Sequence, residues 1–169
     1  MKILETVAEL MDLAARTAPK SAGQDYILTR ILSGAEVNAL ADAMIKHGTE
    51  KGKKNFDRDG ENVRRSPVVL LVGVKDAKPV GLNCGACGAM CADIKPADHG
   101  EFRGPHCALR LLDMGIAIGS AVKTAQLLNA DNRIMYRIGA AAISAGMIDW
   151  DFAMGIPISA SGKSIYFDR

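Results

Sequence analysis

A chain of 169 residues, 49% of them hydrophobic, is long enough to fill one core and too apolar to stay disordered. The formal net charge is only +2, with lysine and arginine spread along the chain, so the electrostatic footprint of a nucleic-acid binder is excluded. The runs Lys51 to Lys54 and Arg64-Arg65 read as solvated helix ends and loops.

Met1-Lys2-Ile3-Leu4-Glu5 carries acid early and opens no apolar stretch with a cleavage site, so a cytoplasmic protein is expected. Leu4, Val7, Leu10, Met11 and Ala14 recur at helical spacing and predict an amphipathic first helix. Pro19 ends it. A small-residue loop, residues 17–24, leads to a predicted strand over 25–32, a break at Ser33-Gly34 and a helix over 35–47. Residues 48–65 are polar and read as loop. Pro67 to Val74 is continuously apolar, the pattern of a strand buried on both faces.

After the cysteine-rich loop, Gly104-Pro105 opens a helix expected over 106–128, apolar nearly all round and threaded with Gly115, Ala117, Gly119, Ser120 and Ala121. Its most apolar part, Met114 to Val122, is too short to cross a bilayer and is expected to be buried. A helix over 133–145 with Gly146 as its cap, a strand over 150–158 and a tail over 159–169 complete the chain. The element order predicts one α+β domain over 1–169, three-layered, with helices around a central mixed sheet.

The four cysteines fall in one window, Cys84, Cys87, Cys91 and Cys107, spaced C-x2-C-x3-C-x15-C. Three thiolates on one short loop and a remote fourth suit an iron-sulfur cluster, a 4Fe-4S cubane above all, because a tight loop wraps a small inorganic object and a distant ligand closes it. Gly85 and Gly88 each follow a cysteine and ease that wrapping. Zinc and disulfides are the alternatives. Structural zinc with four thiolates favours two paired C-x2-C knuckles, and disulfides favour an oxidising compartment. His99 and His106 stay outside the ligand set, since four thiolates complete it.

Arg16, Lys20, Ser21, Gly23 and Gln24 collect cations, a hydroxyl and amide donors in the first loop, which suits an anionic cofactor. Arg16 equally complements the carboxyl end of its own helix. In the tail, Ser159, Ser161, Gly162, Lys163 and Arg169 can contact one phosphate or form an ordinary polar end. Gly162-Lys163-Ser164 is no Walker loop, because Pro157 stands where the pattern needs glycine and six residues of remaining chain cannot build the helix. Tyr136, Trp150 and Tyr166 read as packing residues. With no Ser-His-Asp, metal-histidine or paired-carboxylate constellation, hydrolysis has no support.

The chain resembles a family of uncharacterised bacterial and archaeal proteins described as containing a ferredoxin domain. The resemblance spans the whole sequence, through residues 15–23, Gly81-Leu82-Asn83-Cys84-Gly85-Ala86-Cys87-Gly88, Gly104-Pro105-His106-Cys107-Ala108, residues 113–125 and the tail from Gly155-Ile156-Pro157. A weaker resemblance is to nitroreductase-like flavin proteins, which pair subunits to hold FMN at the dimer interface. There Ala18-Pro19-Lys20-Ser21-Ala22-Gly23 matches the early small-residue loop, and the helix from Cys107 matches the central helix. Gly155-Ile156-Pro157 matches the late strand end. The arginine-rich amino-terminal segment that grips flavin phosphate in that family has no counterpart, so Lys20, Lys163 or Arg169 must replace it. The resemblance implies a homodimer and an FMN site that includes Ser21 and Ser120.

The leading expectation is a redox protein that passes electrons through the cluster, to FMN if one is bound, and exchanges them with a redox partner protein. The alternative is a non-catalytic subunit or binding module whose four-cysteine site holds a structural metal, zinc or iron-sulfur. A flavin reductase with a merely structural cluster is the third reading.

Overall fold

In the computed structural model, which describes residues 2–167, a four-stranded sheet is sandwiched between two helical layers. The elements run α1 Lys2–Thr17, β1 Ile27–Ser33, α2 Ala35–Lys51, α3 Phe56–Arg64, β2 Val68–Val74, β3 Ala97–Asp98, β4 Arg103–Gly104, α4 Ala108–Leu127, β5 Asp131–Asn132, α5 Tyr136–Ser144 and β6 Phe152–Ser159. The sheet order is β1-β2-β6-β5, and β3 and β4 form a separate small hairpin.

β2 explains the layering. All of its residues are buried, and alternate side chains serve opposite cores. Val68, Leu70, Val72 and Val74 pack with α1 and α4, while Val69 and Leu71 pack with α2, α3 and α5. The three-layer α+β expectation therefore holds, but the sheet is not mixed. β1 pairs β2, β2 pairs β6 and β5 pairs β6, each antiparallel. The helical connections return each new strand to the sheet in the opposite sense, so none is a parallel crossover.

Residues 48–65 are a second departure. α2 continues to Lys51 and stops at Gly52, whose φ of 62° forms a left-handed cap. The expected loop then contains α3. Its buried positions are Phe56, Asp59, Gly60 and Val63, a helical spacing that a charged and a glycine residue disguise. Asp59 is buried because Arg58 and Arg137 both bond it, Arg137 Nη1 at 2.8 Å from Oδ2. Gly60 faces Ile45, and an added Cβ would lie 2.9 Å from its Cγ1. Glycine also sets the approach of α5 to β6, since a Cβ on Gly139 would sit 1.9 Å from the carbonyl oxygen of Ala153.

α4 is not buried all round. Met114, Ala117, Ile118, Ala121 and Ala125 face the core, whereas Leu112 is 58% and Ile116 45% exposed. Gly115 and Gly119 border open space on the same outer side. On neighbouring α1, Leu10 and Leu13 are exposed as well. No helix among the described residues is long and apolar enough to cross a membrane.

The tail is partly anchored. Tyr166 is buried, its hydroxyl lies 2.8 Å from Ser66 Oγ, and Arg133 Nη1 donates to its carbonyl at 3.0 Å. Tyr166 is thus a packing residue, as expected. Burial pushes its phenol up to about 12 from an ordinary 10. The raised value belongs to the folded state, so the stabilisation is whole below pH 10 and is lost as pH climbs through 12. Urea unfolding between those limits is expected to show wild type losing on the order of 2 kcal/mol more than Tyr166→Phe. Parallel pH profiles for the two proteins would contradict that assignment.

Candidate cluster and flavin site

The cysteines lie on the connection between β2 and α4. Asp151 fastens both ends of this connection: its Oδ2 accepts from Asp76 N at 2.7 Å, and its carbonyl accepts from Arg103 N at 2.9 Å. Lys75 also bonds Asp149. Between the fastened ends, a cleft of about 270 Å³ is lined by residues that include Lys78, Pro79, Ile94, Pro96 and Arg103. Two larger hollows of about 410 Å³ lie away from the cysteines, one beside Lys53 and Lys54 and one beside Gln126 and Asn129.

Inside the loop, Asn83 acts as a clasp. With φ at 48° it occupies the left-handed region that asparagine tolerates, its side-chain Oδ1 accepts from Cys91 N at 3.0 Å, and its own N donates to Cys91 Sγ at 3.3 Å. Cys91 is thereby folded back against the residue preceding Cys84. Gly88 N donates to Gly85 O at 2.9 Å, a turn that both glycines support with positive φ. Cys84 is exposed and Cys87 and Cys91 half-buried, so this part of the loop meets solvent.

Cys107 differs. It is 4% exposed and caps the amino end of α4. Burial raises its thiol, but the backbone N–H groups of Val80, Leu109 and Arg110, with the Arg110 charge, outweigh burial and hold it below the ordinary value. All four cysteines are free, yet among the described residues no three metal-ligating side chains converge on one point. The donor set fits an iron-sulfur cluster by its chemistry, four free thiols with the buried one held below its ordinary pKa.

Two charged residues that the sequence reading passed over join this site to the first loop. Arg110, 1% exposed, donates through Nε to Lys78 O at 2.8 Å and through Nη1 to Ser21 O at 2.9 Å and Asp113 Oδ2 at 3.3 Å. Nη2 bonds the side chain of Gln24, and the guanidinium lies 4.8 Å from the Tyr26 ring centroid. Asp113 Oδ1 accepts from both N and Oγ of Ser21 at 2.8 Å. The available signal was their placement: an arginine and an aspartate three apart in the first turns of an otherwise apolar helix.

The flavin candidates fall into three places. In the first loop, Arg16 is paired with Asp25 at 2.9 Å and bonds the carbonyl of Ile27, while Lys20 Nζ caps α1 through the carbonyls of Ala15 at 3.0 Å and Arg16 at 2.5 Å. Ser21 is held by Asp113, and Gly23, with φ at 64°, has open space around its Cα. Ser120 lies further along α4, half-buried. In the tail, Ser161 Oγ donates to Lys163 O at 2.6 Å, and Arg169 lies outside the described residues.

Comparison with known proteins agrees with this architecture. Among solved structures, the FMN-dependent nitroreductase NfnB from Mycobacterium smegmatis, in complex with NADPH, matches at TM-score 0.63 with 13% identity, over 98% of this chain and 82% of that one. The nitroreductase CinD from Lactococcus lactis, in complex with nicotinic acid, matches at 0.61 with 16% identity, over 97% and 84%. A nitroreductase with bound FMN from Desulfitobacterium hafniense matches at 0.59 with 13% identity, over 96% and 78%. The fold is nitroreductase-like. A protein of Archaeoglobus fulgidus described as uncharacterized is 51% identical over 98% of this chain and 91% of its own length. Residues 103–169 match the family model described as an uncharacterized protein containing a ferredoxin domain, and with the archaeal relative this places the chain in that family.

Proposed function

We propose that this chain is an iron-sulfur oxidoreductase component in which Cys84, Cys87, Cys91 and Cys107 hold a 4Fe-4S cluster and FMN binds nearby. The observation that carries the reading is Cys107 together with its helix turn. The buried thiol sits at the amino end of α4, where the surrounding backbone N–H groups and the Arg110 charge hold it below the ordinary value, and Arg110 and Asp113 on the same turn bind Ser21 and Gln24 of the loop proposed to face the flavin. One stiff segment thus bears on both cofactors. When bound, the cluster supplies one-electron transfer and the flavin two-electron chemistry.

The chain's own groups have separate tasks. Cys107 contributes the buried sulfur, and the Asn83 clasp folds Cys91 back against the residue preceding Cys84, so the exposed arm of the loop has to close on the metal as it loads. The open surroundings of Gly85 and Gly88 leave room for that movement. Gly23, Ser120, Ser161, Lys163 and Arg169 are the proposed flavin contacts. Arg16, Lys20 and Ser21 carry internal bonds, so they shape the loop as well as contributing donors. The exposed position of Cys84 supports electron exchange with a redox partner protein. The proposed compartment is the cytoplasm.

The proposed assembly is a homodimer, supported by the apolar outer side of α1 and α4, where Leu10, Leu13, Leu112 and Ile116 lie exposed around open glycines. Two charges there, Leu112→Glu with Ile116→Glu, are expected to give a monomer by light scattering and to weaken FMN binding at least about tenfold, a loss of 1.4 kcal/mol or more. A dimer that survives both substitutions would place the interface elsewhere. The function itself is tested by dithionite reduction under anaerobic conditions. Broad visible absorption that bleaches supports it; an absorption that reduction leaves untouched contradicts it.

A further inference from the structure

We infer that His106 is a positioning residue of the cluster, donating an imidazole N–H to one of its sulfur atoms; this rests on the iron-sulfur reading above. His106 is 8% exposed, and both ring nitrogens are buried with no hydrogen-bond partner among the described residues. A buried donor left without a partner costs about 1–3 kcal/mol, and an acceptor bound beside it removes that cost. His47 shows how this fold treats a buried imidazole with no such duty: its Nε2 lies 3.0 Å from Glu101 Oε1, and that carboxylate also pairs with Lys53 at 2.8 Å. His99 is exposed and solvated.

The place of His106 selects the partner. It directly precedes Cys107, the buried residue at the amino end of α4 and the proposed ligand that closes the cluster. A cluster on Cys107 brings inorganic sulfides and further thiolates, all of them acceptors, into that neighbourhood. Hydrogen bonds to cluster sulfur stabilise the more negative, reduced state and raise the potential. Arg110 and Asp113, which follow on α4, are bonded to one another and to the first loop.

The test uses the full chain with nitrogen-15 in its histidines, purified anaerobically, reduced with dithionite and studied by pulsed electron paramagnetic resonance. The expected result is a weak nitrogen-15 coupling to the cluster that vanishes in His106→Leu and persists in a protein lacking His47 and His99. In the same series, His106→Leu is expected to lower the reduced-to-oxidised ratio at a fixed poise about tenfold, about 59 mV for a one-electron couple, with His106→Gln recovering most of it. A cluster without histidine coupling overturns this inference and leaves the iron-sulfur function standing. A strong coupling from a directly bound nitrogen overturns it too, by making His106 a ligand. A chain without iron overturns both.

Discussion

Replacing Cys107 with serine is expected to strip the protein of most of its iron while leaving the fold near intact. Serine matches the size of the buried thiol, and the end of α4 is held by the Cys107 carbonyl, which accepts from Arg110 N at 3.0 Å and Leu111 N at 3.2 Å and is kept in the variant. What disappears is the sulfur ligand. Removing an outer partner of a metal ligand already costs about 10–100-fold in affinity, so losing the ligand itself is expected to exceed that range. Cys84→Ser should act differently. Cys84 lies exposed on the loop arm that must move, and its loss is expected to leave some iron bound in a more labile form. Iron per chain and far-ultraviolet circular dichroism, measured together, check both. Full iron in Cys107→Ser would remove Cys107 from the ligand set.

The second large effect is expected at Arg110. Truncating it to alanine leaves Asp113 buried without its cation and takes a donor from the carbonyls of Lys78 and Ser21, a change that costs about 3–5 kcal/mol in buried ion pairs. Thermal or urea unfolding reads the magnitude. The functional consequence should exceed simple destabilisation, because the loop of Ser21 and Gln24 and the segment at Lys78 lose a common anchor. Cofactor binding by Arg110→Ala, measured well below its melting point, should therefore weaken for flavin and for iron together. Asp113→Asn, which keeps the shape and one acceptor, is expected to cost less and to weaken flavin more than iron, since Ser21 is its direct partner. A variant that melts early yet binds both cofactors normally would make this cluster of bonds a fold support alone.

The sequence made the layering legible wherever apolar residues carried it. The unbroken run Val68 to Val74 announced a strand buried on both faces, and β2 serves two cores. Pattern failed where polar residues were buried. α3 went unseen because Asp59 and Gly60 occupy its inner face, and their roles depend on Arg137 and Ile45, which are distant in sequence. The outer side of α4 was read as buried because a helix rich in leucine, isoleucine and glycine looks the same whether its own core or a second copy covers it. The short strands of the β3-β4 hairpin and of β5 carry too few residues for any alternation to register.

The candidate site was legible in its chemistry and hidden in its connections. The placement of Cys107 at a helix start held. Arg16, Lys20 and Ser21 were read as ligand contacts from their residue types, whereas their partners Asp25, the carbonyls of α1 and Asp113 emerge only once the chain is folded. The same holds for Arg110, a lone cation in sequence and a junction of three segments in space.

Whether the four cysteines hold an iron-sulfur cluster beside a flavin is decided by quantifying iron, acid-labile sulfide, zinc and flavin in one anaerobic preparation of the native chain. Iron and sulfide in equal amounts, with FMN and without zinc, are expected. Stoichiometric zinc with no sulfide would contradict the claim and make the cysteine loop a structural metal site.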